Sequence, residues 1–209
     1  MERRKFLTGS AVTASGLLMG INGCGTKEEK RVLTDTSVAK IDKLAGQTPE
    51  QLLEQYRYYL FDDFLPFMDK YVIDHKYGGF MCNTDREGTN ITQKKTAWYE
   101  GRGIWVYSFL YNKLKKDPKY LEIAGKSVEF VLKNEPTGNS LWPETFSREG
   151  KPLDKASAIY GDLFIASGLC EYSKASGEDK YWDKAKEILI KCVKIYNKSD
   201  YGYIQDIEH

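Results

Sequence analysis

The sequence predicts an all-α domain built from helical hairpins, preceded by an export signal and a linker. Apolar residues recur at helical spacing over most of the chain after residue 48, and several of these stretches begin with a helix-capping residue. One hairpin motif occurs twice. Residues 80–92 have the turn residues expected of a small β-hairpin, and residues 136–152 are expected to form a loop or a second hairpin.

The first predicted helix begins at the capping box Thr48-Pro49-Glu50-Gln51, with proline at the first helical position. Apolar side chains follow at helical spacing as far as Tyr71, and Pro66 should kink or split this helix. The glycines at 78 and 79 then end it. The turn Asp85-Arg86-Glu87-Gly88 is expected to join two short strands at 80–84 and 89–92.

Four further helices form two predicted hairpins. They run from Trp98 to about Lys115, onward from the cap at Asp117, from about Lys155 to Gly177, and over the apolar positions of 181–196. Residues 117–124 match residues 178–185, about sixty positions later. Repeated hairpins form helical arrays or α/α toroids. The long aromatic loops favour a toroid, because they would cluster at one mouth.

Residues 1–24 have the pattern of an export signal. Twin arginines at 3 and 4 precede the apolar run 11–21, which is too short for a permanent membrane span. Ile21-Asn22-Gly23-Cys24 is similar to a bacterial lipoprotein box, so we expect twin-arginine export and a lipid anchor at Cys24, facing the periplasm or cell surface. Simple cleavage without lipidation is the alternative. Residues 25–47 are polar and are expected to be a linker to the domain at 48–209.

Composition argues against several classes of function. A formal net charge of +1 gives no electrostatic case for nucleic-acid binding. The sequence has no metal-ligand spacing, and its only histidines are His75 and His209, so we expect no metal or other cofactor. An odd number of cysteines, Cys82, Cys170 and Cys192, follows the signal. The sequence leaves their disulfide state and any oligomerisation open.

The most unusual feature is a charge within an aromatic stripe. Trp98, Arg102, Trp105 and Phe109 fall on one narrow face of a predicted helix. We expect this face to be buried, and Arg102 then needs a polar partner, because burying an unpaired charge costs several kcal/mol. That partner is either a structural carboxylate or a ligand. Aromatic rings beside a multi-donor side chain are typical of a sugar site, although simple core packing of the aromatics is the alternative.

Three groups of motifs occur in a fixed order along the chain. They are Tyr77-Gly78-Gly79-Phe80 with the turn at 85–88, then residues 95–105 (KTAWYEGRGIW), and then Tyr160-Gly161-Asp162-Leu163-Phe164 with Glu171-Tyr172 and Ser176-Gly177. Together they resemble the N-acylglucosamine 2-epimerase family over roughly Leu52 to Tyr196. The resemblance implies an (α/α)6 toroid, of which these residues would form about the first half.

The resemblance also implies a carbohydrate epimerase or isomerase. Members open the sugar ring, and two histidines remove and return a proton at C2 or a neighbouring carbon. Arg102 matches the family's arginine, whose charge stabilises the enediolate. Trp98 matches a substrate-contacting aromatic residue, and Asp162 falls where the family has a polar, often acidic, residue. The expected partner is a mono- or oligosaccharide, and export implies action without a nucleotide activator.

The family's catalytic histidines lie in its second half, so the resemblance implies a truncated chain that lacks epimerase activity on its own. His75 precedes the glycine turn and is expected to be an exposed structural residue. His209 is the last residue and is expected to fray. A half barrel would also leave an apolar edge open where further helices should pack.

Two other classes of function stay open. An α/α-toroid glycan hydrolase or lyase would need a pair of acidic residues, for which Glu144 and Asp162 are the candidates. A non-catalytic surface lipoprotein would bind glycans without turnover. Trp142, Glu144 and Phe146 would either form a rim for a glycan or close the base of their loop by packing.

Overall fold

A computed structural model describes residues 42–156 and 158–201. The predicted signal at 1–24, most of the predicted linker at 25–47 and His209 lie outside these residues. None of the described helices has the length and hydropathy that crossing a bilayer requires. In chain order the helices and strands are α1 (Pro49–Tyr58), α2 (Leu65–Phe67), β1 (Lys95–Thr96), α3 (Ala97–Phe109), α4 (Pro118–Lys133), β2 (Thr145–Phe146), α5 (Tyr160–Ser176) and α6 (Asp179–Tyr196).

The predicted capping box at the start of α1 is confirmed. The Thr48 hydroxyl accepts the Gln51 N–H at 3.3 Å, and the Gln51 side chain accepts the Thr48 N–H at 2.9 Å. Beyond α1 the chain stays helical, with π-helical segments at Tyr59–Phe64 and Met68–Val72 on either side of α2. Pro66 therefore changes the hydrogen-bonding pattern instead of ending the helix. Proline lacks an N–H and crowds the preceding turn, which wider turns accommodate.

Local capping chemistry also sets the start of α4 and the end of α5. The Asp117 carboxylate accepts the Lys119 N–H at 3.1 Å at the start of α4, as the sequence predicts. Gly177 ends α5 in the left-handed conformation, with φ of 75°. Helix α5 begins at Tyr160 instead of near Lys155. The preceding residues are held along β2, because the Leu153 N–H donates to the Thr145 carbonyl at 3.0 Å.

The two predicted hairpins pack side by side. Helix α3 packs chiefly on α5, while α4 packs on α3 and α6 packs on α5. Gly101 allows the central pair to approach closely, because a Cβ there would lie 2.3 Å from the backbone of Phe164. A Cβ on Gly168 would likewise lie 2.5 Å from the Gly101 carbonyl oxygen. Fully buried core side chains include Ile104, Val128, Val131, Trp142, Phe146, Ile165, Leu169 and Ile188.

The small sheet differs from the predicted hairpin at 80–92. That segment has a single bridge between Thr84 and Asn90, and its turn is held by the Asp85 carboxylate, which accepts the Thr89 N–H at 2.7 Å. The sheet instead pairs β1 with β2 in antiparallel register, with Lys95 opposite Phe146 and Thr96 opposite Thr145. Local spacing cannot reveal such a pairing between segments distant in sequence.

Buried aromatic side chains hold the loop between α4 and α5 in place. Trp142 is 1% exposed, and its indole N–H donates to the Val131 carbonyl at 3.3 Å. Phe146 is also fully buried. Trp142 and Phe146 therefore close the base of the loop by packing, which is one of the two roles expected from the sequence. Neither forms a rim for a glycan. The three described cysteines are free thiols.

Apolar side chains are exposed on the outer faces of α1 and α6. Half or more of the surface of Leu53, Tyr56 and Tyr58 is open on α1. Helix α6 similarly exposes Trp182, Leu189, Ile190 and Val193. Both helices therefore present apolar side chains to solvent.

Candidate functional site

Helix α3 buries one face and exposes the other. The expectation that the aromatic stripe is buried is wrong. Trp98, Arg102 and Trp105 are exposed, whereas the opposite face of the helix is buried. The buried charge on α3 is Glu100, not Arg102. Periodicity defines which residues share a face, but it does not say which of two faces with large side chains turns inward. The buried face consists of Ala97, Glu100, Gly101, Ile104, Tyr107 and Ser108.

Arg102 is held by aromatic rings instead of by a carboxylate. Its guanidinium carbon lies 5.5 Å from the centre of the Trp98 ring and 5.0 Å from that of Phe164 on α5. Within the described residues, no carboxylate lies at ion-pair distance from it. Trp105 extends the same stripe and stacks on Phe109 at 4.9 Å. We call Trp98, Arg102, Trp105 and Phe164 the Arg102 surface.

The Arg102 surface combines flat apolar rings with a rigid set of donors. Guanidinium groups keep their charge at all relevant pH values and stack on rings without losing their in-plane N–H donors. Those donors stay available to an oxygen-rich ligand. Trp98 and Trp105 are 39% and 38% exposed, so both rings are open to such a ligand. The arrangement suits a sugar, whose C–H faces pack on aromatic rings and whose oxygens accept hydrogen bonds.

A buried ion cluster lies beneath the start of α3. The Lys95 ammonium lies 3.0 Å from Asp74 and also donates to the carbonyls of Gly78 and Arg148. The Arg148 guanidinium donates to both Asp74 oxygens, at 2.9 and 3.1 Å. Burial raises the pKa of Asp74, but hydrogen bonds from Arg148 and Lys95 outweigh this and lower it to about 2. Three acceptors around Lys95 match the three protons of an ammonium group.

Glu100 is a second buried acid beside this cluster. It accepts the Phe80 N–H at 3.0 Å through Oε1, while its Oε2 has no hydrogen-bond partner. Burial raises the pKa of Glu100 to about 8, despite the opposing effects of the Phe80 N–H and Lys95. A Cβ on Gly79 would lie 2.3 Å from Oε2, so only glycine lets the turn close over Glu100.

The motif at 77–80 and the motif at 95–105 therefore meet at these buried charges. The sequence analysis did not predict the ion cluster of Asp74, Lys95 and Arg148 or the buried Glu100 beside it. One available signal was that Glu100 lies on the face of α3 opposite the stripe, between positions that also carry small or aliphatic residues. The charges position the start of α3, from which Trp98 and Arg102 project.

Asp162 has a structural position in this chain. It is fully buried, and its carboxylate accepts the Trp142 N–H at 3.0 Å and pairs with Lys191 at 2.7 Å. Burial raises the pKa of Asp162, and the hydrogen bond from Lys191 opposes this. The structure does not bring Asp162 to the Arg102 surface, so its predicted contact with a sugar has no geometric support. Because Asp162 is closed off, it does not form an open acidic pair with the exposed Glu144.

His75 lies in the turn that follows the first helical segment. Its side chain is 52% exposed and lies 3.3 Å from the Asp69 carboxylate, with Nε2 2.9 Å from the Asp69 carbonyl. The expected role as an exposed turn residue is confirmed. In the described part of the chain, no three carboxylate, thiol or imidazole side chains converge as a metal site requires.

The model of the N-acylglucosamine 2-epimerase family matches residues 41–208. The chain belongs to this family. It is 32% identical over 110 residues to a cellobiose 2-epimerase of Dictyoglomus turgidum, a match that covers 51% of this chain and 27% of the relative. It is 27% identical over 137 residues to the N-acylglucosamine 2-epimerase of Homo sapiens, covering 63% of this chain and 32% of the relative.

Solved structures confirm the predicted fold class. A cellobiose 2-epimerase from Spirochaeta thermophila aligns with a TM-score of 0.61 at 26% identity, covering 70% of this chain and 36% of that one. A sugar epimerase from a ruminal bacterium aligns with a TM-score of 0.62 at 25% identity, covering 68% of this chain and 37% of that one. These neighbours are (α/α)6 barrels. The chain spans only about a third of the length of such relatives.

We predict that Glu100→Gln removes a pH-dependent loss of stability. The pKa of Glu100 is about 8 in the folded chain and near 4.5 when unfolded. Between these values the unfolded chain releases the proton while the folded chain keeps it. The free energy of unfolding therefore falls as pH rises, by up to about 1.4 kcal/mol per pH unit. Below pH 4.5 and above about pH 8, Glu100 does not contribute to the pH dependence of the free energy of unfolding.

Urea titrations at several pH values across this window measure the effect, with the exposed Glu54→Gln as a matched control. The wild-type chain and the control should lose stability relative to Glu100→Gln as pH rises. Parallel pH profiles for the wild-type chain and Glu100→Gln would show that Glu100 is not buried as described.

Proposed function

We propose that this chain supplies a sugar-contacting wall of an exported carbohydrate epimerase or isomerase that acts at C2 of a ring-opened sugar. The observation that carries the proposal is the exposed Arg102 guanidinium, which lies 5.5 Å from the centre of the Trp98 ring and 5.0 Å from that of Phe164. Family membership supports the class of reaction, since similar proteins are named cellobiose 2-epimerase and N-acylglucosamine 2-epimerase. Cellobiose and glucose-type sugars are accordingly the first ligands to test.

Arg102 has the properties that C2 chemistry requires of a stabilising group. Removal of the C2 proton from an open-chain aldose places negative charge on the oxygen at C1, next to the hydroxyl at C2. A fixed cation that is already oriented stabilises this charge without reorganising at the moment of reaction. Contacts with Trp98 and Phe164 restrict the guanidinium. Its N–H donors can therefore bind sugar oxygens at low entropic cost. Trp98 supplies the apolar surface against which the sugar chain packs.

Proton transfer needs an acid or base within hydrogen-bond reach of C2. Within the described residues, the one histidine is His75, which is bound to Asp69 and is not part of the Arg102 surface. We therefore propose that the Arg102 surface binds and polarises the sugar, and that groups other than the described residues move the proton.

We predict that the chain binds glucose-type sugars through Arg102 but does not invert C2 on its own. Arg102→Ala should weaken binding at least about tenfold, because hydrogen bonds from a charged donor contribute roughly 1.5–3 kcal/mol. Titration followed by tryptophan fluorescence measures binding, and proton NMR in deuterated water measures exchange at C2. The exposed Arg86→Ala is the matched control and should bind as the wild type does.

A non-catalytic glycan-binding lipoprotein is the second candidate, favoured by the exposed aromatic rings at 98 and 105. It predicts binding that Arg102→Ala reduces only weakly, together with no exchange at C2. Inversion of C2 by the purified chain would instead contradict the proposed division between binding and proton transfer. The two candidates therefore separate on the size of the Arg102 effect.

We also propose that Cys24 anchors the domain to a membrane by a lipid, after export through the twin-arginine route. The order of twin arginines, short apolar run and lipoprotein-like box supports this. In a bacterial host, the wild-type protein should sediment with membranes, and Cys24→Ala should shift it to the soluble fraction because no acyl chain can be added. Cys82→Ala is the control. Membrane association that survives Cys24→Ala would contradict lipidation at this position.

A further inference from the structure

A run of lysines occupies the turn between α3 and α4. Residues 113–119 contain four lysines and one acid, and we call them the basic turn. The run Lys-Leu-Lys-Lys at 113–116 is exposed throughout, and Leu114 is 51% open to solvent. The proposed function does not use this turn. It follows the end of α3, whereas Arg102 lies near the start, about 20 Å away along the helix axis at 1.5 Å per residue.

The lysines of the basic turn outnumber the acids that could neutralise them. Lys115 lies 3.6 Å from the Asp117 carboxylate, which also caps α4. Among the described residues, no carboxylate lies at ion-pair distance from Lys113 or Lys116. The turn therefore presents a surplus of positive charge to solvent, with an apolar side chain in the middle of it.

The turn between α5 and α6 lies at the same end of the domain. Helices α3 and α5 run in parallel. Near their starts, a Cβ on Gly161 would lie 3.0 Å from that of Ala97, and near their ends the Asn112 amide donates to the Glu171 carboxylate at 2.8 Å. Residues 174–180 carry two lysines and two acids, so the surplus of positive charge comes from the basic turn. This end of the domain is thus a face of short turns, opposite the start of α3.

Helix α1 lies toward the same end. The Asp69 carboxylate pairs with Lys119 of the basic turn at 2.8 Å, whereas Asp74, one turn later, pairs with Lys95 just before α3. The first helical segment therefore runs from the basic turn toward the start of α3. Because α1 precedes Asp69 in this segment, it lies on the side of the basic turn. The predicted linker at 25–47 consequently leads into the domain from that side.

Clustered lysines around an exposed apolar residue suit the surface of an anionic bilayer. Each lysine close to such a surface contributes about 1 kcal/mol of attraction, and an apolar side chain gains by entering the headgroup region. A face of short turns can also meet a flat surface without any helix having to move. The cationic turn and the exposed Leu114 therefore match one partner, a membrane that contains anionic phospholipids.

We propose that the basic turn docks the domain on a bilayer of anionic phospholipids. Its lysines bind the lipid phosphates, and Leu114 enters the headgroup region. In this orientation the Arg102 surface, at the other end of α3, faces away from the bilayer and stays open to sugars. The inference goes beyond the proposed sugar chemistry and does not require acylation of Cys24, which would be a separate anchor on the same side of the domain.

Co-sedimentation with phospholipid vesicles tests the proposal. The parent protein is the full chain with Cys24→Ala, so that no acyl chain contributes and residues 1–24 are the same in every variant. It should bind vesicles of equal parts phosphatidylglycerol and phosphatidylcholine about tenfold more tightly than vesicles of phosphatidylcholine alone. Added salt should weaken the binding, because it screens exposed charges.

Two triple variants separate the basic turn from net charge. Replacing the exposed lysines at 113, 115 and 116 by glutamine should weaken binding to the anionic vesicles about tenfold. Replacing the exposed lysines at 76, 133 and 151 by glutamine changes the net charge equally and is the matched control, which should bind as the parent does. Leu114→Ser keeps every charge and should weaken binding about threefold, because it removes the apolar side chain.

Three results would overturn membrane docking by the basic turn. The parent could fail to prefer anionic vesicles, the variant of the basic turn could bind as tightly as the parent, or both triple variants could lose affinity equally, which is the behaviour of net charge alone. None of these results bears on the proposed sugar chemistry, which the Arg102→Ala titration tests, or on lipidation, which the fractionation of Cys24→Ala tests.

Discussion

The buried ion pair between Asp74 and Lys95 is the constraint on which the arrangement of this domain depends. Both side chains are fully closed to solvent, and Arg148 completes the cluster from the loop after β2. Three segments that are distant in sequence are joined at this one point. They are the turn that follows the first helical segment, the strand that leads into α3, and the end of the small sheet. The position of α3, and with it that of Trp98 and Arg102, follows from this junction.

Such a cluster is stable only when it is complete. Taking a charge out of water is costly, and an isolated partner left in the interior destabilises a protein by several kcal/mol. Here each group has its partners, since Asp74 accepts from two cations and two backbone N–H groups. Glu100 is different, because its raised pKa keeps it protonated near neutral pH. Near neutral pH, Asp74 is therefore ionised and the neighbouring Glu100 is neutral.

The sequence predicts the starts of α1 and α4 well because these starts depend on neighbouring residues. Thr48 and Asp117 cap helices through contacts only two or three positions away. The start of α5 and the pairing of β1 with β2 depend on Leu153 and Thr145, whose contacts cross from one segment to another. Such contacts leave no local pattern. The motifs at 77–80 and 95–105 correctly indicated the family, although much of their role is to build a buried ion cluster.

The sequence indicates which residues of α3 share a face, but not which face is exposed. Arg102 and Trp98 lie on the exposed face, so the expectation that the stripe is buried is wrong. Both faces of α3 carry large side chains, and only contacts with α5 and the glycine turn decide which face is buried. Asp162 illustrates the same limit, because its partner Lys191 lies on a different helix.

The most direct measurement is a double-mutant cycle on Asp74→Asn and Lys95→Met, with the free energy of unfolding obtained by urea titration. Asp74→Asn leaves the buried Lys95 ammonium without a carboxylate and should lose about 3–5 kcal/mol. Lys95→Met leaves Asp74 paired with Arg148 and should lose about 2–4 kcal/mol. The double variant removes both charges and should be more stable than the sum of the two losses predicts, by about 1–3 kcal/mol. Additive losses, or single losses below about 1 kcal/mol, would show that this pair does not hold the domain together.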